Sequence, residues 1–292
     1  MLPREVLDKV RRIEIKTRRL VTDALAGEYH SIFKGRGMEF SEVREYQFGD
    51  DIRTIDWNVT SRTGALHIKK FTEERELTVL LMLDASGSAD FGSRNRFKRE
   101  VAAEVGALVA FSAIKNNDRV GAIVFTDRVE MFIAPRKGRA HVLRVIRDLL
   151  YFEPSGVGTD LSSAAEYLNR ITRKRAVVFL LSDFQASSFH KPLRVAARKH
   201  DLISVFLADP LELDIPSIGL LELEDAESGE RLLLDTSRRE GIRSFQKAER
   251  ARLERLKSEL TGMGVDTIDI RTDEPYDRPL LRFFEMRSRR IR

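Results

Sequence analysis

The chain has 292 residues, 42% of them hydrophobic, which is enough for one large domain or one domain with an appendage and indicates no disordered class. It contains no cysteine, which excludes a disulfide framework and thiolate catalysis, and its five histidines (His30, His67, His141, His190 and His200) never fall at zinc-ligand spacing. The net charge is +5, but Lys and Arg alternate with Asp and Glu, as on a solvated surface rather than a nucleic-acid footprint; residues 282–292, with Arg287, Arg289, Arg290 and Arg292, form a basic fringe.

Taken in order, the first residues are charged throughout and lack the apolar core of a signal peptide, and no run approaches the ~20 apolar residues that cross a bilayer. The expected location is therefore the cytoplasm, with no transmembrane segment. Residues 3–25 place Leu7, Val10, Ile13 or Ile15, Leu20, Val21 and Leu25 at roughly helical spacing, with Gly27 as the stop. From Lys34 onward, Met38, Phe40, Val43 and Tyr46 mark a strand, Gly49-Asp50-Asp51 a turn that can cap a short helix, and residues 65–71 a second strand that pairs with the first. Gly35-Arg36-Gly37 is no nucleotide fingerprint, because it neither follows a strand nor opens a helix. Arg44, Asp50, Asp51, Arg53, Asp56 and Arg62 offer opposite-sign pairs, with Trp57 among them; they either join this module to the main sheet or dock a partner. The expected division is residues 1–75, an N-terminal helix and β module, and residues 76–292, an α/β domain.

Thr78 to Ser88 reads as an apolar strand, buried on both faces of a parallel sheet, that ends abruptly in Asp84. Loops leaving the carboxyl ends of such strands form the ligand crevice. Ser86 and Ser88 follow at i+2 and i+4, with Gly87 permitting a tight turn, so one carboxylate and two hydroxyls can converge. Oxygen-only donors suit a hard divalent cation, and so small and weakly charged a set favours Mg2+ or Mn2+ over Ca2+. Residues 96–115 read as a long helix, 120–125 as a buried strand, 129–133 as an edge strand and 139–150 as a helix.

The glycine-rich loop 153–160 lacks the Lys-Ser/Thr ending of a P-loop. It supplies Thr159 as a candidate hydroxyl ligand and Asp160 as the cap of a helix over 161–171. Residues 176–183 repeat the pattern of an apolar strand closing on an acid, Asp183, and residues 202–208 do so again before Asp209. Strands that finish in Asp, separated by amphipathic helices, predict a doubly wound, mostly parallel sheet with its functional rim at one end. Beyond them come a β-hairpin near 218–235, a helix over 238–260, a last strand over 265–270 and a closing helix over 278–286, on which Phe283 and Phe284 pack against the sheet.

Asp84-x-Ser86-x-Ser88, Thr159 in Gly-Thr-Asp and Asp183 in Leu-Ser-Asp resemble, in order and approximate spacing, the metal-ion-dependent adhesion site of von Willebrand factor A-type domains. Arg44-Glu-Tyr-x-x-Gly-Asp-Asp-x-Arg-x-Ile-Asp-Trp57 resembles the signature of the bacterial family known as domain of unknown function 58, which carries such a domain. The resemblance implies a metal-dependent protein-binding module. Ser86, Ser88 and Thr159 would be near ligands and Asp84 and Asp183 anions that act partly through water. An open coordination position then invites an acidic residue from a partner. It also implies a MoxR-type AAA+ ATPase partner and a chaperone-like role, with any membrane contact made through partners. The enzyme alternative is a magnesium-dependent, haloacid-dehalogenase-type phosphatase, in which a second Asp stands two residues after the nucleophilic one; here that residue is Ser86. A hydrolase Gly-x-Ser-x-Gly elbow is missing.

Overall fold

The computed structural model describes residues 4–21, 29, 37–74, 76–93, 96–186, 189–227, 229–237 and 239–291. They divide into two compact units, one formed by residues 1–32 with 78–292 and the other by residues 33–77. The N-terminal helix, expected to share a module with the first hairpin, therefore belongs to the sheet unit instead.

The larger unit is built on a six-stranded sheet of order β10-β7-β6-β3-β4-β5. Its strands are β3 (Thr78–Asp84), β4 (Arg119–Phe125), β5 (Val129–Arg136), β6 (Val177–Ser182), β7 (Asp201–Ala208) and β10 (Asp266–Arg271). All neighbours are parallel except β4 and β5, so β5 is an antiparallel edge. After β3 the chain adds β4 on one side and later β6 on the other. The order of strands thus reverses at β3, and the crevice of a doubly wound sheet opens there. Buried on both faces, β3, β4 and β6 are almost purely apolar, because neither face meets water.

Successive side chains alternate between the two faces. On one, Leu80, Met82, Ile123, Phe125, Val178 and Leu180 pack with the apolar stripes of α5 (Leu161–Ile171), α6 (His190–Lys199) and α8 (Arg239–Gly262). The other face is approached by α3 (Lys98–Lys115), where a Cβ added at Gly106 would lie 3.2 Å from Leu81 Cδ1. α3 is buried nearly all round, because α1 (Arg4–Leu20) and α4 (Arg139–Leu150) pack on it in turn. On α1 the stripe Val10, Ile13, Thr17 and Val21 is buried whereas Ile15 is exposed, which decides the choice between Ile13 and Ile15. Lys16 of α1 donates to Glu104 of α3 at 2.9 Å, and Arg139 of α4 donates to Glu14 of α1 at 2.6 Å. Leu7 and Leu25 lie outside the described side chains.

α9 (Asp277–Ile291) buries Phe283 and Phe284 as expected. The basic fringe has a structural share: Arg287 donates to both carboxylate oxygens of Asp201 at 2.5 and 2.6 Å, and Arg290 to Asp266 at 3.0 Å, so they tie α9 to the starts of β7 and β10. Arg289 is exposed. Between α7 (Pro210–Leu213) and α8 stands the expected hairpin, β8 (Leu220–Glu224) with β9 (Arg231–Asp235), a separate two-stranded sheet. No helix among the described residues is long and apolar enough to cross a membrane.

The smaller unit pairs β1 (Gly37–Glu45) with β2 (His67–Glu74) in antiparallel fashion, around α2 (Trp57–Thr63). The acids of its signature are used locally. Asp50 takes a two-pronged bond from Arg44 at 2.9 and 2.7 Å, Asp51 caps a 3-10 turn through Arg53 N–H, and Asp56 caps α2 through Asn58 and Val59 N–H. The Arg44 guanidinium holds the Asp50 carboxyl below its ordinary range. The side chains of Met38 and Phe40 lie outside the described set.

Leu168, fully buried on α5 beneath the sheet, tests this packing. Leu168→Ala is expected to lower the urea unfolding midpoint by the equivalent of about 2–5 kcal/mol. An unchanged midpoint would mean that α5 does not close this face.

Candidate metal centre

β3 delivers Asp84 to the carboxyl end of the sheet, where the carboxylate is 5% exposed. Its Oδ1 accepts the Ser86 N–H at 3.0 Å, which bends the chain into the 3-10 turn Gly87–Asp90 and brings the Ser86 and Ser88 Oγ atoms within 3.1 Å of each other. Its Oδ2 accepts the Ser182 hydroxyl at 2.6 Å, and Ser182 Oγ in turn accepts Phe184 N–H at 2.9 Å. β6 pairs with β3 in parallel register up to Leu83 opposite Leu181, so the next residue on each strand, Asp84 and Ser182, falls at this junction. Ser182 is thus the residue that positions Asp84. It lay unremarked inside the Leu-Ser-Asp motif.

Asp183, unlike Asp84, is engaged by a cation. Its Oδ2 accepts a bond from Lys98 Nζ at 2.7 Å, and the same ammonium donates to Glu212 Oε1 at 2.6 Å. Lys98, in the first turn of α3, is 1% exposed and Asp183 5%, so their ion pair is buried, while Glu212 is only partly buried beside it. Burial alone would depress the Lys98 ammonium; Asp183 and Glu212 outweigh it and hold its pKa above the ordinary value. The chain after Asp183 passes through Phe184 at φ +55°, a left-handed conformation that a bulky residue adopts only under constraint. Asp84, by contrast, has no cationic partner among the described residues. Its burial and then the nearby Asp183 charge push its pKa up to about 6.

Thr159 arrives on the loop before α5. Asp160 caps that helix through Ser162 and Ser163 N–H, as expected. The Val157 carbonyl accepts Gly87 N–H at 2.8 Å, which joins this loop to the serine turn. Thr159 Oγ1 does not bond to either serine: it donates to Glu227 Oε1 at 2.6 Å, on the tip of the β8–β9 hairpin. The glycines of the loop serve close packing, not phosphate. A Cβ at Gly156 would lie 2.2 Å from Asp127 Oδ1 and 2.4 Å from Thr126 Oγ1. Asp209, the third strand-ending acid, is a structural tie that accepts Ser93 N–H, Leu211 N–H and the Thr272 hydroxyl.

The donor set fits a small, hard cation. Cis oxygens on an octahedral Mg2+ with bonds of about 2.0–2.1 Å lie about 3 Å apart, and calcium's longer bonds spread them further; the two serine hydroxyls stand 3.1 Å apart. Among the described residues no group of three or more His, Cys, Asp or Glu side chains gathers as a metal cluster, so hydroxyls would have to carry much of the coordination. Asp84, Ser86 and Ser88 are brought together directly, and the loop that carries Thr159 meets the serine turn through Gly87 and Val157, but the Thr159 hydroxyl bonds to Glu227 and the Asp183 carboxylate to Lys98. Lys98, Ser182, Glu212 and Glu227 were missed by sequence reasoning. Of these, Ser182 alone had a signal, its place in a strand-ending motif.

Residues 42–255 match the family described as Protein of unknown function DUF58. Over 285 residues the chain is 31% identical to the uncharacterized protein Rv1480 of Mycobacterium tuberculosis strain H37Rv, covering 96% of this chain and 89% of that one. Among solved structures it is similar to the conserved hypothetical protein BatB from Bacteroides thetaiotaomicron, at 14% identity and a TM-score of 0.46 over 73% of this chain and 99% of that one. It is similar also to the VWA domain of SpRpn10, at 11% identity and a TM-score of 0.38 over 70% and 93% of the two chains. With the family match running from the β1 strand into α8, the chain belongs to the DUF58 family.

Proposed function

We propose that this chain is a protein-interaction module that holds Mg2+ or Mn2+ at the rim formed by Asp84, Ser86, Ser88, Thr159 and Asp183, and uses the ion to capture a carboxylate of a partner protein. The supporting observation is the junction of β3 and β6, where a buried carboxylate with no cationic partner among the described residues stands beside two hydroxyls 3.1 Å apart. The bound ion would supply a Lewis-acidic attachment point for an oxygen of the partner. The chain's own residues do the rest. Ser182 orients Asp84, Asp84 holds the serine turn through the Ser86 N–H, and Lys98 offsets part of the Asp183 charge. With so few direct anionic donors, these residues would leave a bound cation electrophilic toward an incoming acid.

The Arg44 to Trp57 resemblance supports a MoxR-type AAA+ ATPase as the partner, in chaperone-like assembly or activation, in the cytoplasm. A second, metal-independent docking reading is favoured by the exposure of Phe48, Ile52 and Trp57 (104%, 68% and 67%) on the smaller unit. The proposed role is binding and not catalysis, because Ser86 stands where a phosphatase of the haloacid-dehalogenase type carries its second acid.

Two outcomes are expected. Mg2+ or Mn2+ at a hundredfold excess over Kd should raise the Tm by several degrees, the equivalent of about 2.7 kcal/mol, and Ser86→Ala should abolish the shift; absence of any shift in the unaltered protein would refute the reading. In chelator the Asp84 carboxyl, with a folded pKa of about 6 against 3.8 in its ordinary state, keeps its proton longer in the folded than in the unfolded chain. Stability should therefore fall as pH rises from about 4 to 6. Asp84→Asn should then be the more stable protein at pH 7, by up to about 3 kcal/mol, while showing no metal shift. Urea melts at pH 5 and 7.5 measure this, and a variant no more stable than its parent at pH 7.5 would count against the buried, unpaired carboxylate.

A further inference from the structure

The hairpin β8–β9 is held at two places. At its base, buried Thr236 donates both its N–H and its hydroxyl to the Gly219 carbonyl at 2.7 Å each, and accepts Ile218 N–H at 2.9 Å. At its tip, Glu227 accepts the Thr159 hydroxyl at 2.6 Å. The backbone of the tip also lies against the serine turn: a Cβ at Gly87 would meet the Ala226 carbonyl oxygen at 2.5 Å, so only glycine admits this approach. Between base and tip the hairpin buries little, with Leu220, Leu232 and Leu233 all more than 60% exposed. It does not pair with the central sheet. A two-stranded hairpin so sparsely packed is cheap to displace.

We infer that Glu227 is an internal ligand: the hairpin places the chain's own carboxylate where the partner's acid would otherwise bind, so a partner must displace the tip to engage the ion. This rests on the metal reading above. It follows from what already surrounds Glu227: one carboxylate oxygen takes the hydroxyl of the candidate ligand Thr159, and the other would lie 3.8 Å from a Cβ at Gly158. The tip turn is itself ordered to present that side chain, because Glu227 N–H donates to Asp225 Oδ1 at 2.9 Å and Gly229 N–H to the Asp225 carbonyl at 2.8 Å. The carboxylate is supplied from a hairpin inserted 68 residues after Thr159 in the chain, so it can leave without disturbing the rim's own loops.

The test uses the full chain loaded with Mn2+, read by water-proton relaxation, which reports water bound to the ion. Glu227→Ala should raise the relaxation enhancement by the contribution of about one added water, and excess acetate should lower it again in the variant while leaving the unaltered protein nearly unchanged. Glu227→Gln, which preserves the turn and can still accept the Thr159 hydroxyl, should respond to acetate as the alanine variant does. Amide hydrogen exchange over residues 225–231 should quicken in Glu227→Ala with the sheet unaffected, which verifies that the variant is folded. Equal relaxation enhancement and equal acetate response in all three proteins, with Mn2+ bound, would overturn this inference and leave the metal reading standing. Failure of all three to bind Mn2+ would overturn both.

Discussion

A hydrogen bond from the Ser182 hydroxyl to Asp84 Oδ2, 2.6 Å long and buried, links the ends of β3 and β6 at the point where the sheet reverses direction. Everything proposed for the rim depends on it. It fixes the carboxylate, and the carboxylate's other oxygen takes the Ser86 N–H and so sets the turn that aligns Ser86 with Ser88. A buried carboxylate that accepts two such bonds but meets no cation among the described residues is held at a cost to folding, which its raised pKa expresses. A site kept in that condition is poised to gain from a cation.

The second acid of the rim is treated differently, and the contrast is informative. Asp183 forms a buried ion pair with Lys98, whose ammonium also serves the partly buried Glu212. Among the described residues the sheet thus carries one paired and one unpaired carboxylate at adjacent strand ends. Lys98 also couples α3 to the loop after β7 through Glu212, whose neighbour in the α7 capping box, Asp209, ties Ser93 and Thr272. The rim is therefore stiff on the β6–β7 side. On the side of the β8–β9 hairpin it is closed only by Thr159, Gly87 and the hairpin tip.

Much of this was legible before any coordinates. Thr78 to Asp84 and Ala176 to Asp183 are apolar runs that stop at an acid, which is the pattern of parallel strands buried on both faces, and the doubly wound sheet followed from it. The helix caps Asp51 and Asp160 were legible because capping is a local matter of three residues. The N-terminal helix was legible as amphipathic and so as a packing element, but not as a helix held by the sheet's covering helices; its tie through Glu14 to Arg139 spans 125 residues and leaves no local mark. Arg44, Asp50 and Asp56 read equally as ties to the main sheet or as docking charges, because a sequence shows charge but not the cap or turn that already uses it.

Sequence by itself determined the buried strands, their acidic ends and the five oxygen-bearing residues proposed for the rim, since hydrophobic runs and short-range turn chemistry act over a few residues. Only the tertiary structure decided which of those residues are free and which are engaged: Asp183 by Lys98 from 85 residues away, Asp84 by Ser182 from 98, and Thr159 by Glu227. The reason is that partners so distant in the chain meet through the register of β3 against β6 and the path of a surface hairpin, and neither is encoded in the neighbourhood of the residues that it pairs.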